Sequence, residues 1–217
     1  MEERSCCRDS VPRPPLSNAD RIDLPRPVLD GAVSLEHALA TRRSVRRYAS
    51  DPLTLAEAGQ LLWASQGITH GEGRRSAPSA GGLHPLNAYL VAECVAGLAP
   101  GVHAYLAHGH RLRPVVYGSL LPQLATAAWS QEWIGGAAAA LVLSAVHDRT
   151  TTRYGERGRR YVHMEAGHAA ENALLQATAL GLRSVVVGAF DDAAAARLLD
   201  LDGSESLLCL LPVGRPA

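Results

Sequence analysis

Four arginines and a serine crowd the run Thr41-Arg42-Arg43-Ser44-Val45-Arg46-Arg47-Tyr48. Arginine presents a planar fork of donors that matches phosphate oxygens, and a serine hydroxyl adds a short-range donor, so the composition is that of a phosphate clamp. A charge run beside a helix is also a common solvated face. Cations at a helix C-terminus suit its dipole as well, but that need is met by one or two arginines, and four exceed it. A second stretch, Ala77-Pro78-Ser79-Ala80-Gly81-Gly82-Leu83-His84-Pro85, has no Asp, Glu, Lys or Arg and is nearly all small, so a ligand can approach its backbone closely.

The elements that must position these residues follow from caps and periodicity. Ser34 predicts a short helix over residues 35–41 that delivers the arginines at its C-terminal end. Thr54 and Glu57 form a capping box, and Leu55, Ala58, Leu61 and Leu62 continue that helix until Gly67 stops it, leaving Gln66 exposed or as a helix-end hydrogen bonder. The glycine-rich segment 67–82 reads as a loop feeding a strand at 86–93, followed by a hairpin of 101–106 and 111–116. A helix from Ser119 to about 128 precedes a strand at 137–146, too apolar for the surface and therefore central. Residues 150–160 read as a loop or helix start. Val162, Ala166, Ala169, Ala170, Ala173, Leu174 and Ala177 then repeat at helical spacing until Gly181, an Ala-lined spine for packing or dimerisation. A strand at 184–188, a helix capped by Asp191 and a strand at 206–213 complete the chain. Strands on both sides of helices without steady alternation predict a mixed sheet in an α+β fold.

Five prolines before residue 30 predict an extended arm over residues 1–30, wrapping a partner subunit, and one domain over 31–217. With 21 basic and 21 acidic residues there is no global field to draw nucleic acid or an anionic membrane, so an anion needs a local cluster. Cys6, Cys7, Cys94 and Cys209 have no metal or redox spacing, and no metal is predicted; His163 and His168 would point to different helix faces. Cys94 and Cys209 read as inert, and Trp63, Trp129 and Trp133 as core. Charges at residues 1–10 argue against a signal peptide, and no apolar run reaches roughly 18 residues, so a cytoplasmic protein is expected.

The arginine run, the small-residue loop, Arg153-Tyr154-Gly155-Glu156-Arg157 leading into Tyr161-Val162-His163-Met164-Glu165-Ala166-Gly167-His168, and the segment from Gly181 through Val185-Val186-Val187-Gly188-Ala189-Phe190-Asp191 stand in that order. Together they resemble the flavin-dependent nitroreductase superfamily, and within it the SagB-type branch of thiazoline and oxazoline dehydrogenases. The resemblance covers most of the chain. It implies a mainly antiparallel mixed sheet flanked by helices, in an intertwined homodimer with FMN at the interface. It implies phosphate and flavin-edge contacts from Arg42, Arg43, Ser44 and Arg46, and contacts to the other protomer's flavin from Pro78, Ser79, Ala80, Gly81 and Gly82. Val186, Val187, Gly188 and Ala189 would pass the flavin ring with their backbone. Gly188 stands where many nitroreductases have Glu, and Arg215 would substitute for a basic tail residue that relatives use for phosphate. Arg153-Tyr154 stands where the azole-forming branch carries a Lys-Tyr pair linked to ring-proton removal; arginine does not deprotonate near neutral pH, so the resemblance leaves Tyr154 as the acid or base candidate.

A flavin performs hydride chemistry itself, which fits a sequence with no Gly-x-Ser-x-Gly, His-Glu-x-x-His, Walker or dinucleotide motif. The leading expectation is a SagB-type FMN-dependent oxidoreductase acting on a small or peptide-borne heterocycle, in a biosynthetic complex. Two alternatives stay open: an NAD(P)H-dependent nitroreductase or enone reductase, and a non-catalytic flavin-binding assembly subunit.

Overall fold

Strand β7 (Ala139–Ala145) is buried at every position because helices cover both of its faces, and the sheet grows outward from it. A computed structural model describes residues 21–217 apart from 72 and 202. β7 pairs antiparallel with β4 (Leu86–Ala92) on one side and β9 (Ser206–Gly214) on the other. Beyond β4 lie the hairpin strands β5 (Gly101–Leu106) and β6 (Arg111–Tyr117), then β1 (Ile22–Asp23). β8 (Arg183–Ser184) closes the other edge, giving the order β1-β6-β5-β4-β7-β9-β8. The parallel contacts are isolated bridges, Ser44 to Ser184 and Leu53 to Val95, so the sheet is mixed and mainly antiparallel, as expected. β2 (Ile68–His70) and β3 (Arg74–Arg75) form a separate ribbon before the small-residue loop.

Alternate residues of each central strand serve opposite layers. Leu86, Leu90, Leu141 and Leu211 pack against α2 (Leu55–Gln66) and α5 (Arg157–Ala179). Tyr89, Val91, Val142 and Leu210 pack against α3 (Leu121–Ala127) and α6 (Asp192–Leu198). Each fully buried Leu contributes about 1.5–3 kcal/mol of apolar transfer, and the Ala stripe of α5 lets that helix lie close to the sheet. α1 (Leu35–Thr41) and α2 begin where their caps predict, with the Ser34 side chain accepting from the His37 N–H at 3.2 Å and the Thr54–Glu57 box complete. α6 starts at the Asp191 cap.

Four expectations are corrected. Ser119 does not open α3; its hydroxyl donates to the Glu93 carboxylate, and the helix starts at Leu121 with Pro122 in its first turn. Residues 150–160 belong to two helices, α4 (Asp148–Tyr154) and α5, broken at Gly155 with φ +57°. Residues 184–188 are not a continuous strand, since β8 stops at Ser184 and Val187 alone bridges Leu210. In the arm, Ile22 and Asp23 form an edge strand, and the Gln60 side chain bonds both main-chain groups of Val28 at 2.8 and 2.9 Å. That part of the arm therefore lies on its own protomer; residues 1–20, with Cys6 and Cys7, lie outside the described residues. Among the described residues no helix is long and apolar enough to cross a membrane.

Candidate functional site

The arginine run leaves α1 and passes beside β8, where Ser44 bridges Ser184 in parallel and the Val45 N–H donates to the Ser184 carbonyl at 3.2 Å. Tyr48 pins its far end: the hydroxyl lies 3.0 and 3.2 Å from the carbonyl oxygens of Val45 and Pro212, and burial keeps the phenol neutral by raising its pKa. The four guanidinium groups diverge. Arg42 pairs with Glu171 of α5 at 3.4 Å, and Arg46 lies 5.7 Å from the centroid of the Trp133 ring. Arg43 folds back onto the carbonyls of Ala40 and Arg42 at 3.0 and 2.7 Å, so it satisfies the end of α1, and Arg47 is exposed. Arg42, Arg43, Val45, Thr178, Arg183 and Ser184 line a hollow of about 210 Å³, cationic on three of these residues.

Val187 is buried and exchanges two backbone hydrogen bonds with Leu210, at 2.8 and 2.9 Å, while Val186, Gly188 and Ala189 on either side of it are exposed. A Cβ built at Gly188 would meet nothing within 4 Å. Gln131 donates to the Ala189 carbonyl at 3.2 Å from the same segment that carries Trp133, so one short stretch touches both Ala189 and Arg46.

A second group forms around Pro78, Ser79 and the 3-10 turn Ala80–Gly82. Gly81 and Gly82 are exposed and left-handed, φ +62° and +65°, and the Ser79 hydroxyl accepts from the His84 N–H at 2.9 Å to close the turn. A Cβ at Gly81 would stand 2.7 Å from the Tyr154 hydroxyl and 3.0 Å from Arg153 Nη1. The Tyr154 ring packs edge-on against Tyr161 with centroids 5.2 Å apart, and the Arg153 guanidinium lies 5.4 Å from the Tyr154 centroid. Two motifs distant in sequence thus meet at Gly81. Arg215 joins neither group: Glu57 holds its guanidinium at two points, 2.7 and 2.9 Å, tying the end of the sheet to the start of α2.

Residues 39–215 match the model described as the nitroreductase family. The chain belongs to the nitroreductase family. A candidate nitroreductase of Methanocaldococcus jannaschii, MJ1384, is 43% identical over 183 residues, covering 84% of this chain and 91% of that protein. The microcin B17-processing protein McbC of Escherichia coli is 30% identical over 143 residues, 61% of this chain and 50% of McbC. A solved candidate nitroreductase from Ralstonia eutropha has a TM-score of 0.80 at 28% identity, covering 96% of this chain and 95% of its own. The NADPH:FMN oxidoreductase of Vibrio harveyi shares the fold, with a TM-score of 0.61 at 20% identity over 84% of this chain and 68% of its own. Membership makes this chain an oxidoreductase.

Behind the glycine loop sits a buried polar cluster that sequence reasoning missed. Gln66 is fully enclosed rather than exposed, and accepts from Arg75, which also reaches the Leu86 carbonyl at 3.3 Å. Glu165 is enclosed on α5; burial pushes its carboxyl up to about 7, against the opposing effects of hydrogen bonding from Ser79 and the charge of Arg75. Burial also lowers the pKa of Arg75 and His84. A signal was present, because Glu165 falls three residues after Val162 and four before Ala169, inside the buried stripe. Of the tryptophans expected in the core, Trp129 is exposed and Trp133 underlies Arg46. Cys209 is buried among apolar neighbours, and its thiol is pushed up to about 12.

Proposed function

We propose that this member of the nitroreductase family is an FMN-dependent dehydrogenase that oxidises a small or peptide-borne heterocycle, azoline to azole, with the flavin held between two protomers. The observation that carries the reading is the contact of Gly81 with Tyr154, which joins an exposed left-handed backbone to a half-buried ionisable side chain. The residues fit the cofactor. The hollow lined by Arg42, Arg43 and Arg183 suits a phosphate, and the exposed backbone at Gly188 and Ala189 leaves a ring free to lie against it. FMN, when bound, supplies the hydride acceptor. Ser44 and Arg46 would bind and orient its phosphate and ring edge, and Tyr154, as its phenolate, would take the substrate proton at its oxygen.

The arginine group and the glycine loop sit on different elements, and a second protomer would bring them together. α1 packs on α5, and the two helices leave Leu35, Leu39 and Met164 exposed, an apolar face suited to that partner. McbC processes microcin B17 according to its name, which supports a peptide-borne substrate and a place in a biosynthetic complex. The alternative, an NAD(P)H-driven nitroreductase, is supported by the 43% identity to the Methanocaldococcus protein and by the name of the Vibrio oxidoreductase. Anaerobic mixing of the FMN-loaded protein with a thiazoline peptide, and separately with NADPH followed by a nitroarene, decides between them. The dehydrogenase reading expects flavin bleaching with the peptide; bleaching by NADPH alone gives the site to the reductase reading.

A further inference from the structure

Between α3 and β7 the chain makes a turn that L-residues adopt reluctantly: Trp129 and Ser130 are both left-handed, each with φ +57°. Backbone held in this way must be over-determined by its surroundings. Here the Ser130 N–H donates to the Thr126 carbonyl at 3.3 Å, and the N–H groups of Gln131 and Glu132 donate to the carbonyls of Ala128 and Ser130 at 3.3 and 2.9 Å. The turn delivers residues 131–133 to the segment 187–191 and to the arginine run. The Asp191 N–H donates to the Ala127 carbonyl at 2.8 Å, and the Gln131 amide to the carbonyls of Ala128 and Ala189 at 3.0 and 3.2 Å. Two residues on, Trp133 packs against the apolar cluster that contains Tyr89, Val142 and Leu210, and its ring centroid lies 5.7 Å from Arg46 Cζ.

We infer that Trp133 is a positioning residue: its ring holds the Arg46 guanidinium in place for the flavin, while Gln131 ties the same turn to the backbone at Ala189. The inference deepens the flavin reading and rests on it for the purpose of Arg46. Arg46 is exposed, and among the described residues no carboxylate pairs with it, whereas Glu171 holds Arg42 at 3.4 Å. An untethered guanidinium samples many rotamers, and ordering it at the moment of binding lowers the affinity for the ligand. A carboxylate would order it too, but would neutralise the charge that an anionic ligand needs. An indole ring attracts the cation and leaves its charge and its N–H donors available. Trp133 is itself fixed by packing on the sheet and by the turn before it, so order passes from the core through the ring to Arg46. One rigid stretch thereby sets the spacing between this guanidinium and the backbone that the flavin ring would pass.

The experiment is a titration of the apoprotein with FMN, read by quenching of flavin fluorescence, for the parent, Trp133→Leu and Trp133→Phe, each also in an Arg46→Ala background. Leu and Phe both keep an apolar side chain on the core, but Phe alone keeps an aromatic face. Trp133→Leu should weaken FMN binding about 3- to 10-fold, the scale of one cation–π contact and one ordered side chain, and Trp133→Phe should restore most of that loss. With Arg46→Ala the difference between Leu and Phe should disappear. A packing role gives instead equal losses for Leu and Phe, or a difference between them that persists without Arg46, and either result overturns the inference. Trp133→Met replaces the Leu variant if that one does not fold. A parent that binds no FMN overturns the flavin reading itself and the inference with it; a parent that binds FMN no better than Trp133→Leu overturns the inference alone.

Discussion

Substituting Gly81 and Gly82 separately by Ala isolates the contact on which the site depends. Both residues are left-handed, so each substitution carries the same backbone penalty of about 1–2 kcal/mol. They differ in surroundings: a Cβ at Gly82 meets nothing within 4 Å, whereas one at Gly81 stands 2.7 Å from the Tyr154 hydroxyl. That hydroxyl ends a side chain able to swing, and the swing gives up the edge-on packing with Tyr161, worth about 0.5–1.5 kcal/mol. Gly81→Ala should therefore cost about 1 kcal/mol more than Gly82→Ala, a further loss of about 2–4 °C in Tm for a domain of this size. Tyr154→Phe removes the oxygen and leaves only the flexible Arg153 guanidinium at 3.0 Å, so in that background the excess at Gly81 should shrink, a coupling of up to about 1 kcal/mol in a double-mutant cycle read by urea unfolding. Equal costs at the two glycines, or additive costs with Tyr154→Phe, would refute the contact.

Glu165→Gln should flatten stability against pH. The native carboxyl titrates near 7, above its unfolded value near 4.5, so the folded state binds the extra proton; parent stability falls as pH rises through that interval and levels off above it, by at most about 3 kcal/mol. Urea midpoints of the two proteins that run parallel from pH 4.5 to 8 would contradict this. Arg215→Ala should lower stability by about 1 kcal/mol through loss of the half-buried pair with Glu57, and leave FMN affinity unchanged; a tenfold weaker flavin complex would assign Arg215 to the phosphate site. Leu39→Asp should shift sedimentation of the protein from dimer to monomer, since it charges the exposed apolar face of α1; an unaltered dimer would place the interface elsewhere.

Local chemistry made much of the fold readable. Ser34, Thr54 with Glu57, and Asp191 mark helix starts by side-chain hydrogen bonds that depend on a few neighbouring residues, and α1, α2 and α6 begin there. β7 was readable as central because burial on both faces leaves an apolar run. α4 was not, since its exposed surface carries no periodicity, and β1 exists through its pairing with β6, a long-range contact. In the site, the motifs announced which backbone stretches matter but not where each guanidinium goes. Arg43 satisfies its own helix and Arg215 answers Glu57, partners that composition does not reveal. Glu165 was hidden differently: it shares a stripe with alanines, and a reading that counts apolar positions passes over the acid among them.

The most direct test of a flavin site divided between protomers is complementation in mixed dimers. Arg46→Ala damages the arginine group and Gly82→Val the glycine loop, and each homodimer alone should purify with little FMN. When the two variants are unfolded, mixed and refolded together, heterodimers contain one site with both defects and one site with neither, so bound FMN measured at its visible absorbance should recover to about one per heterodimer. Recovery to that level places the two groups on opposite protomers; mixtures no more yellow than the separate variants would mean that both groups serve a site within one chain.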